Sequence, residues 1–198
     1  MLKPLPVPQL RSLRAHPFVW LIAVLSLIPL LAITAWGLSA VDDWFVPASV
    51  GELSASPWRI ISPTFVHYTL LHAFTNIYLW WYFGAKLEER SRIELVLLFV
   101  LAAVVGNSAQ WFWSGPNFGG LSGVVYALLS YCWCITYFYK TPILQLDKGL
   151  SIILLIFLPI AATGLLGQFA NAAHGAGLCC GLLMAAGKYA LTFYQPRT

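Results

Sequence analysis

The sequence has few charged residues for its length. Of its 198 residues, 11 are lysine or arginine and 7 are aspartate or glutamate, so charged side chains make up 9% of the chain. An ordinary soluble domain has about 25%. Hydrophobic side chains make up 60%, and the remaining charges are too few to cover the surface of a water-soluble globule. The composition therefore predicts an integral membrane protein.

The hydrophobic residues fall into runs close to the length of a bilayer crossing. A helix that rises about 1.5 Å per residue needs roughly 20 residues to cross a hydrocarbon core of about 30 Å. We predict an all-α bundle of six membrane-spanning helices, which forms a single domain over residues 18–198 after a short cytoplasmic leader at residues 1–17. The predicted spans cover residues 18–40, 66–85, 93–113, 121–139, 150–168 and 172–192.

The first apolar run follows three basic residues, as the apolar region of a secretory signal peptide does. The run is longer than the 7–15 residues typical of such a region, and no small-x-small cleavage site follows it. We therefore expect this segment to be retained as a span.

Basic residues are scarce on one side of the predicted bundle. With the N-terminus in the cytoplasm, ten of the eleven lysine and arginine residues fall in cytoplasmic segments, and only Arg59 lies outside. Cytoplasmic loops of membrane proteins carry such an excess of positive charge, so we predict that both termini are cytoplasmic. The net charge of +4 then reflects topology, and we predict no nucleic-acid partner.

Carboxylates are absent from the predicted spans except at their cytoplasmic ends. A proton-coupled transporter is expected to place a carboxylate within its spans, and a paired-aspartate membrane protease requires two, so both classes are disfavoured. The chain also lacks the H-E-x-x-H pattern of a zinc protease. A metal or haem site built from His67, His72 and His174 remains as an alternative, but we predict no metal and no cofactor.

The four cysteines lie within predicted spans, at spacings unlike those of a zinc knuckle or ribbon. We expect them to be reduced, apolar core residues. They are Cys132, Cys134, Cys179 and Cys180.

Polar side chains cluster at one depth, because each lies near the extracytoplasmic start of an even-numbered span. His72 and Asn76 are four residues apart and share one face of a helix. Tyr126 shares a face with the serine four residues before it, where its ring can pack against an imidazole. The cluster consists of His67, His72, Asn76, Ser122 and His174.

Serine and histidine together favour nucleophilic acyl transfer. A serine hydroxyl is a poor nucleophile until a neighbouring base takes its proton, and neutral imidazole is the usual base near pH 7. We predict that Ser122 is the nucleophile and His174 the base, in a dyad with no carboxylate. The backbone amides at the start of a helix, together with His72 and Asn76, are candidate donors to an oxyanion.

Small residues repeat at four-residue spacing on two of the predicted spans. Such pairs let helix backbones approach closely in a membrane. Close packing of the fourth and sixth spans would bring Ser122 and His174 within hydrogen-bond distance. The pairs are Gly123 with Ala127 and Gly177 with Gly181.

Four stretches in order resemble the rhomboid intramembrane serine proteases, especially the compact six-span bacterial type. The similarity extends from about Trp58 to Ala186. The stretches are "WR" at 58–59, "HYTLLHAFTN" at 67–76, "GGLSGVVYA" at 119–127 and "NAAHGAGLCCG" at 171–181.

The resemblance implies a Ser122–His174 dyad that cuts single-span membrane proteins near their extracytoplasmic end, in the bacterial inner membrane. It also implies that the long first outer loop lies sideways in the bilayer, and that the fifth span and the loop with Gly164 and Gly167 form a gate and cap. An inactive relative that only binds its partners is the alternative, although both the serine and the histidine are present here. The other implied site residues are His72, Asn76 and the backbone of Leu121 and Ser122 for the oxyanion, Tyr126 packed on the histidine, and Gly120, Asn171 and His67 in support.

Overall fold

The computed structural model describes residues 12–138, 146–163 and 169–194, and this part of the chain is helical without strands. The predicted all-α bundle is confirmed. The α-helices are α1 (Ser12–Ala15), α2 (Pro17–Trp36), α3 (Val50–Ala55), α4 (Leu70–Arg90), α5 (Arg92–Ser114), α6 (Ser122–Phe138), α7 (Lys148–Ala162) and α8 (Asn171–Tyr194). Three short 3-10 segments, at Leu38–Trp44, Pro57–Ile60 and Ser62–Phe65, lie in the connection between α2 and α4.

Six of the described helices, α2 and α4 to α8, overlap the six predicted spans. Among the described residues, α2 and α5 are long and apolar enough to cross a bilayer by length and composition. Two shorter helices are also apolar, namely α6 and the part of α7 at Gly149–Ala161. The predicted leader up to residue 11, the end of the fourth predicted span at 139, the end of the fifth at 164–168, and the loop glycines Gly164 and Gly167 lie outside the described residues.

The predicted start of the second span and the predicted end of the first were wrong for local reasons. The second span was predicted to begin at 66, but α4 begins at Leu70 because the Thr69 side chain caps it and accepts the His72 amide at 3.1 Å. The first span was predicted to reach 40, but α2 ends at Trp36, before Gly37 with φ of +86°. His67 therefore lies in the loop before α4.

Helix α6 forms the centre of the bundle and packs against α4, α5 and α8. Most of its side chains are buried, including Tyr131, whereas Trp133, Tyr137 and Phe138 near its end are exposed. Around it lie the fully buried Trp80 and Phe83 of α4 and Leu95 and Leu98 of α5. A helix that is buried over most of its surface is expected to be largely apolar, as the sequence of α6 is.

The small residues of α6 and α8 face each other. A side chain built on Gly177 would overlap the carbonyl oxygen of Gly123, and one built on Gly181 would overlap that of Ala127. Only glycine lets the two backbones approach this closely. The predicted pairs therefore meet, and the starts of α6 and α8 lie side by side.

The long connection between α2 and α4 is held by polar contacts with its own backbone. Arg59 donates from Nε to the Phe45 carbonyl and from Nη2 to the Asp42 carbonyl, both at 2.8 Å. Asn107 of α5 donates to the Ile60 carbonyl at 2.7 Å and so fixes this connection to the bundle. Hence the one basic residue predicted to lie outside stabilises the loop that carries it.

A buried carboxylate stabilises the end of the bundle opposite Ser122. Glu88 is buried near the end of α4, where it accepts the amides of Phe18 and Val19, each at 3.0 Å, and pairs with Arg92 at 2.7 Å. It thereby caps the start of α2, whose first amides have no partner within their own helix. The second span was predicted too short at this end, because α4 continues through Glu88 to Arg90.

All four cysteines are free thiols. Three of them, Cys132, Cys134 and Cys180, are buried as expected. Cys179 is exposed on α8, so the prediction of a core position was wrong there.

Candidate active site

The first residue of α6 touches the fourth residue of α8. Ser122 Oγ and His174 Nε2 are 2.7 Å apart, which is a short hydrogen bond between side chains 52 positions apart in the sequence. His174 is only 3% exposed. The contact follows from the close packing of α6 and α8, which holds the starts of both helices at the same depth.

The His174 ring is held on one face and at one nitrogen. Tyr126, one turn along α6 from Ser122, packs against the ring with centroids 4.9 Å apart. The tyrosine hydroxyl donates to the Leu154 carbonyl of α7 at 2.9 Å. The other ring nitrogen, Nδ1, is buried and has no hydrogen-bond partner among the described residues. In this part of the chain, therefore, the serine and the histidine form a pair without a third polar member.

His72 lies close to the serine. A Cβ built on Gly120 would be 2.9 Å from His72 Nε2 and 3.8 Å from Ser122 Oγ, so both atoms lie within 4 Å of one point. Gly120 has φ of +124°, a conformation that side chains rarely adopt. The absence of a side chain at Gly120 thus leaves the imidazole close to the serine.

Asn76 is buried one turn after His72 on α4. Its Nδ2 donates to the His72 carbonyl at 2.9 Å. The carboxamide has two N–H donors, so this bond uses one of them. The two residues share one helix face, as their spacing predicted.

His67 holds the backbone that leads into α6. Its Nδ1 lies 3.0 Å from the Phe65 carbonyl, which can only accept, so Nδ1 carries the proton. The unprotonated Nε2 accepts the Leu121 amide at 3.3 Å. The Leu121 amide, which the resemblance implies as an oxyanion donor, is therefore engaged with His67 in this structure.

The rest of the loop before α6 is also packed in protein, because the Gly120 amide donates to the Pro63 carbonyl at 2.9 Å. Non-helical backbone at membrane depth requires such internal partners.

Asn171 begins α8 and connects it to α7. Its Nδ2 donates to the Ala161 carbonyl at 3.3 Å, near the end of α7. Its Oδ1 is buried without a hydrogen-bond partner among the described residues. The residue lies one turn before His174 and contacts the helix beside the site.

A family model described as the rhomboid domain matches residues 54–190, which include every one of these side chains. The chain belongs to the rhomboid family. Among its relatives, the rhomboid protease GlpG of Yersinia pestis (strain Pestoides F) is 36% identical over 178 residues, which cover 89% of this chain and 64% of that protein. The rhomboid protease GlpG of Serratia proteamaculans (strain 568) is 45% identical over 130 residues, or 65% of this chain and 47% of that protein.

This rhomboid protein thus spans less than two thirds of the length of these relatives. Its family and its relatives make it a bacterial integral membrane protein.

Two buried amide side chains near the rhomboid site were missed in the sequence. Asn107 and Gln110 lie one turn apart on α5 and contact the outer loop and the start of α8. The signal was available, because polar side chains inside an apolar span are costly and usually have partners. Which partners they meet depends on how the helices pack, and spacing along one helix does not encode that.

Proposed function

We propose that this rhomboid protein is an intramembrane serine endopeptidase in which Ser122 is the nucleophile and His174 the general base. The observation that carries the proposal is the 2.7 Å contact between Ser122 Oγ and His174 Nε2, a partly buried hydrogen bond between two closely packed helices. A serine is activated when a base within hydrogen-bond distance accepts its proton. The names of the relatives, which are rhomboid proteases, favour the same activity.

The reaction proceeds in two acyl-transfer steps. Ser122 Oγ attacks the substrate carbonyl carbon while its proton moves to His174 Nε2, and the carbonyl π electrons move to the oxygen. When the tetrahedral intermediate collapses, the carbon–nitrogen bond breaks and Nε2 gives the proton to the departing amine. Water then attacks the acyl-serine ester by the same path, releasing the carboxylic acid and restoring the serine.

The developing oxyanion needs donors that point at the reacting carbonyl. The first hydrogen bond of α6 runs from the Val125 amide to the Leu121 carbonyl. The Ser122 amide lies before it, so this amide has no acceptor within the helix and lies at the positive end of the helix dipole. His72, close to the serine, and the second N–H of Asn76 complete the donor set. Because His67 holds the Leu121 amide, that amide joins the set only if this bond opens.

The topology that fits this chemistry has six spans with both termini in the cytoplasm, in the bacterial inner membrane. The distribution of basic residues supports it, since only Arg59 then lies outside. In this orientation α4, α6 and α8 all start at the extracytoplasmic side, which is where the candidate site lies. The substrate is a single-span membrane protein cut near its extracytoplasmic end.

The dyad is tested by labelling the purified protein with a fluorophosphonate, which forms a bond from serine oxygen to phosphorus and releases fluoride. We expect mass spectrometry to find the adduct on Ser122. Ser122→Ala and His174→Ala should each abolish cleavage of a model substrate while the thermal unfolding temperature changes little, because the two residues act as one unit. Cleavage that persists in Ser122→Ala, or that EDTA stops in the wild type, contradicts the proposal.

The position of the cut follows from the location of the site. A transmembrane helix hides its carbonyls in internal hydrogen bonds, so the segment must unwind before the serine attacks. We expect Gly or Pro a few residues inside the cut to raise the cleavage rate of a single-span reporter, and Leu to lower it. Mass spectrometry of the product termini locates the cut. Cuts on the cytoplasmic side, or no response to the exchange of Gly for Leu, argue against this topology and mechanism.

A further inference from the structure

The start of α8 is held by a side chain from another helix. Gln110 Oε1, on α5, accepts the amide of Ala172 at 3.0 Å and that of Ala173 at 3.1 Å. The first amides of a helix have no acceptor within the helix, and a nearby Ser, Thr, Asp or Asn usually supplies one. Gln110 therefore acts as an N-cap supplied across the interface between α5 and α8.

The carboxamide of Gln110 is fixed at both ends. The side chain is buried, with 4% exposure, and its Nε2 donates to Ser114 Oγ at 2.8 Å on the same helix. Backbone amides only donate, so the carbonyl oxygen must be the atom that faces α8. One turn earlier, a Cβ built on Gly106 would be 3.3 Å from the Ala173 carbonyl oxygen, which shows that the two helices are in close contact here.

We call these two hydrogen bonds from Ala172 and Ala173 to Gln110 the clamp. The clamp ends one residue before His174. The imidazole contacts Ser122 through Nε2 and Tyr126 through one ring face, and its Nδ1 has no partner among the described residues. With no acceptor on Nδ1 to orient the ring in this part of the chain, its position relative to Ser122 depends on the backbone of the first turn of α8. Small displacements matter, because a misplacement of about 1 Å can cost roughly 100-fold in rate.

We propose that Gln110 is a positioning residue for the His174 base, acting by holding the first turn of α8 in register with Ser122. The inference rests on the proposed Ser122–His174 chemistry and adds a member to it that touches neither the substrate nor the reacting atoms. Loss of an N-cap that only stabilises the fold would lower the unfolding temperature and nothing else. Loss of a positioning cap would also lower the reactivity of Ser122 in protein that is fully folded.

The test compares three variants by the second-order rate of fluorophosphonate labelling at Ser122, each measured well below its unfolding temperature. Gln110→Met keeps the length and bulk of the side chain but removes the acceptor, and should lower the rate about tenfold or more. Gln110→Glu keeps an acceptor oxygen and places negative charge at a helix N-terminus, so it should return the rate to within about threefold of wild type.

Ser130→Ala is the matched control. Ser130 is also buried and also holds α8, since its Oγ donates to the Leu178 carbonyl at 2.9 Å, one turn beyond His174. Its loss should lower the unfolding temperature and leave the labelling rate unchanged. If Gln110→Met labels as fast as Ser130→Ala, or if Gln110→Glu labels as slowly as Gln110→Met, the positioning role is wrong.

Amide hydrogen exchange in the peptide that contains Ala172 and Ala173 gives a second readout, independent of activity. Exchange there should be faster in Gln110→Met than in wild type and near wild type in Gln110→Glu, and equal exchange in all three contradicts the clamp. Failure of wild-type protein to label at Ser122 refutes the proposed function and the positioning role of Gln110 with it. Normal labelling of both wild type and Gln110→Met refutes this inference alone.

Ser114→Ala provides a milder change if Gln110→Met does not fold. It removes only the hydroxyl that holds Gln110 Nε2. We expect the labelling rate to fall by about twofold to fivefold, because the Gln110 carboxamide loses one hydrogen bond and is held less firmly. An unchanged labelling rate in this variant counts against the proposal.

Discussion

Replacing Gly177 by alanine should slow catalysis by about 100-fold and cost at most about 2 kcal/mol of stability. The new Cβ would overlap the carbonyl oxygen of Gly123 on α6. Because carbon and oxygen in van der Waals contact need roughly 3.0 to 3.5 Å, α6 and α8 must separate by on the order of 1 Å at this level. Gly177 lies three residues after His174 and Gly123 directly follows Ser122, so the separation acts on the dyad itself.

Two opposing terms set the stability change. Forcing an extra methyl into a packed interface typically costs about 1–3 kcal/mol, whereas alanine in place of glycine within a helix gains about 1 kcal/mol. The net loss is therefore at most about 2 kcal/mol. The contact between Ser122 Oγ and His174 Nε2 starts at 2.7 Å, and an added ångström takes it beyond hydrogen-bond distance, which corresponds to roughly a 100-fold lower rate.

Gly187→Ala is the matched control on the same helix. A Cβ at Gly187 meets nothing within 4 Å, so this variant gains helix propensity without a clash. Thermal unfolding in detergent should show Gly187→Ala slightly more stable than wild type and Gly177→Ala less stable. Fluorophosphonate labelling should be unchanged in the first and about 100-fold slower in the second. Equal labelling rates in the two variants would show that close approach of α6 and α8 does not position the dyad.

Two further changes test the surroundings of the dyad. His72→Ala or Asn76→Ala should lower turnover by about tenfold to a thousandfold with little change in apparent substrate affinity, because oxyanion donors act mainly in the transition state; full turnover in both variants removes them from the mechanism. Tyr126→Phe loses the hydrogen bond to the Leu154 carbonyl but keeps the ring on the imidazole. It should cost about 0.5–1.5 kcal/mol in unfolding free energy and leave labelling nearly intact, whereas Tyr126→Ala should slow it; equal labelling in the two refutes the packing role.

Helix periodicity explains why much of the site was predictable. The small-residue faces of α6 and α8, the latter with Gly177 and Gly181, follow from a spacing of four within each helix. The shared face of His72 and Asn76 follows from the same spacing. Such features are properties of single helices, so the sequence is sufficient to predict them.

Contacts between elements were harder to predict, for physical reasons. His67 was singled out, but its bond to the Leu121 amide depends on how the outer loop folds over the loop before α6. Hydropathy also placed the start of α4 four residues early. Hydropathy reports how apolar a segment is, whereas the start of this helix is set by the Thr69 cap. The role of Gln110 depends on the docking of α5 against α8, which no pattern within either helix specifies.

The candidate site lies at the starts of α4, α6 and α8. The three starts differ in the side chain that accepts hydrogen bonds from their first backbone amides. The start of α4 is capped by Thr69, and the start of α8 by Gln110 from a neighbouring helix. At the start of α6, the hydroxyl of Ser122 is directed to His174 instead of to the amides of its own helix. The dipole of α6 is therefore not offset by its own serine, and in the proposed mechanism the negative charge that it would favour is that of the oxyanion on the carbonyl under attack.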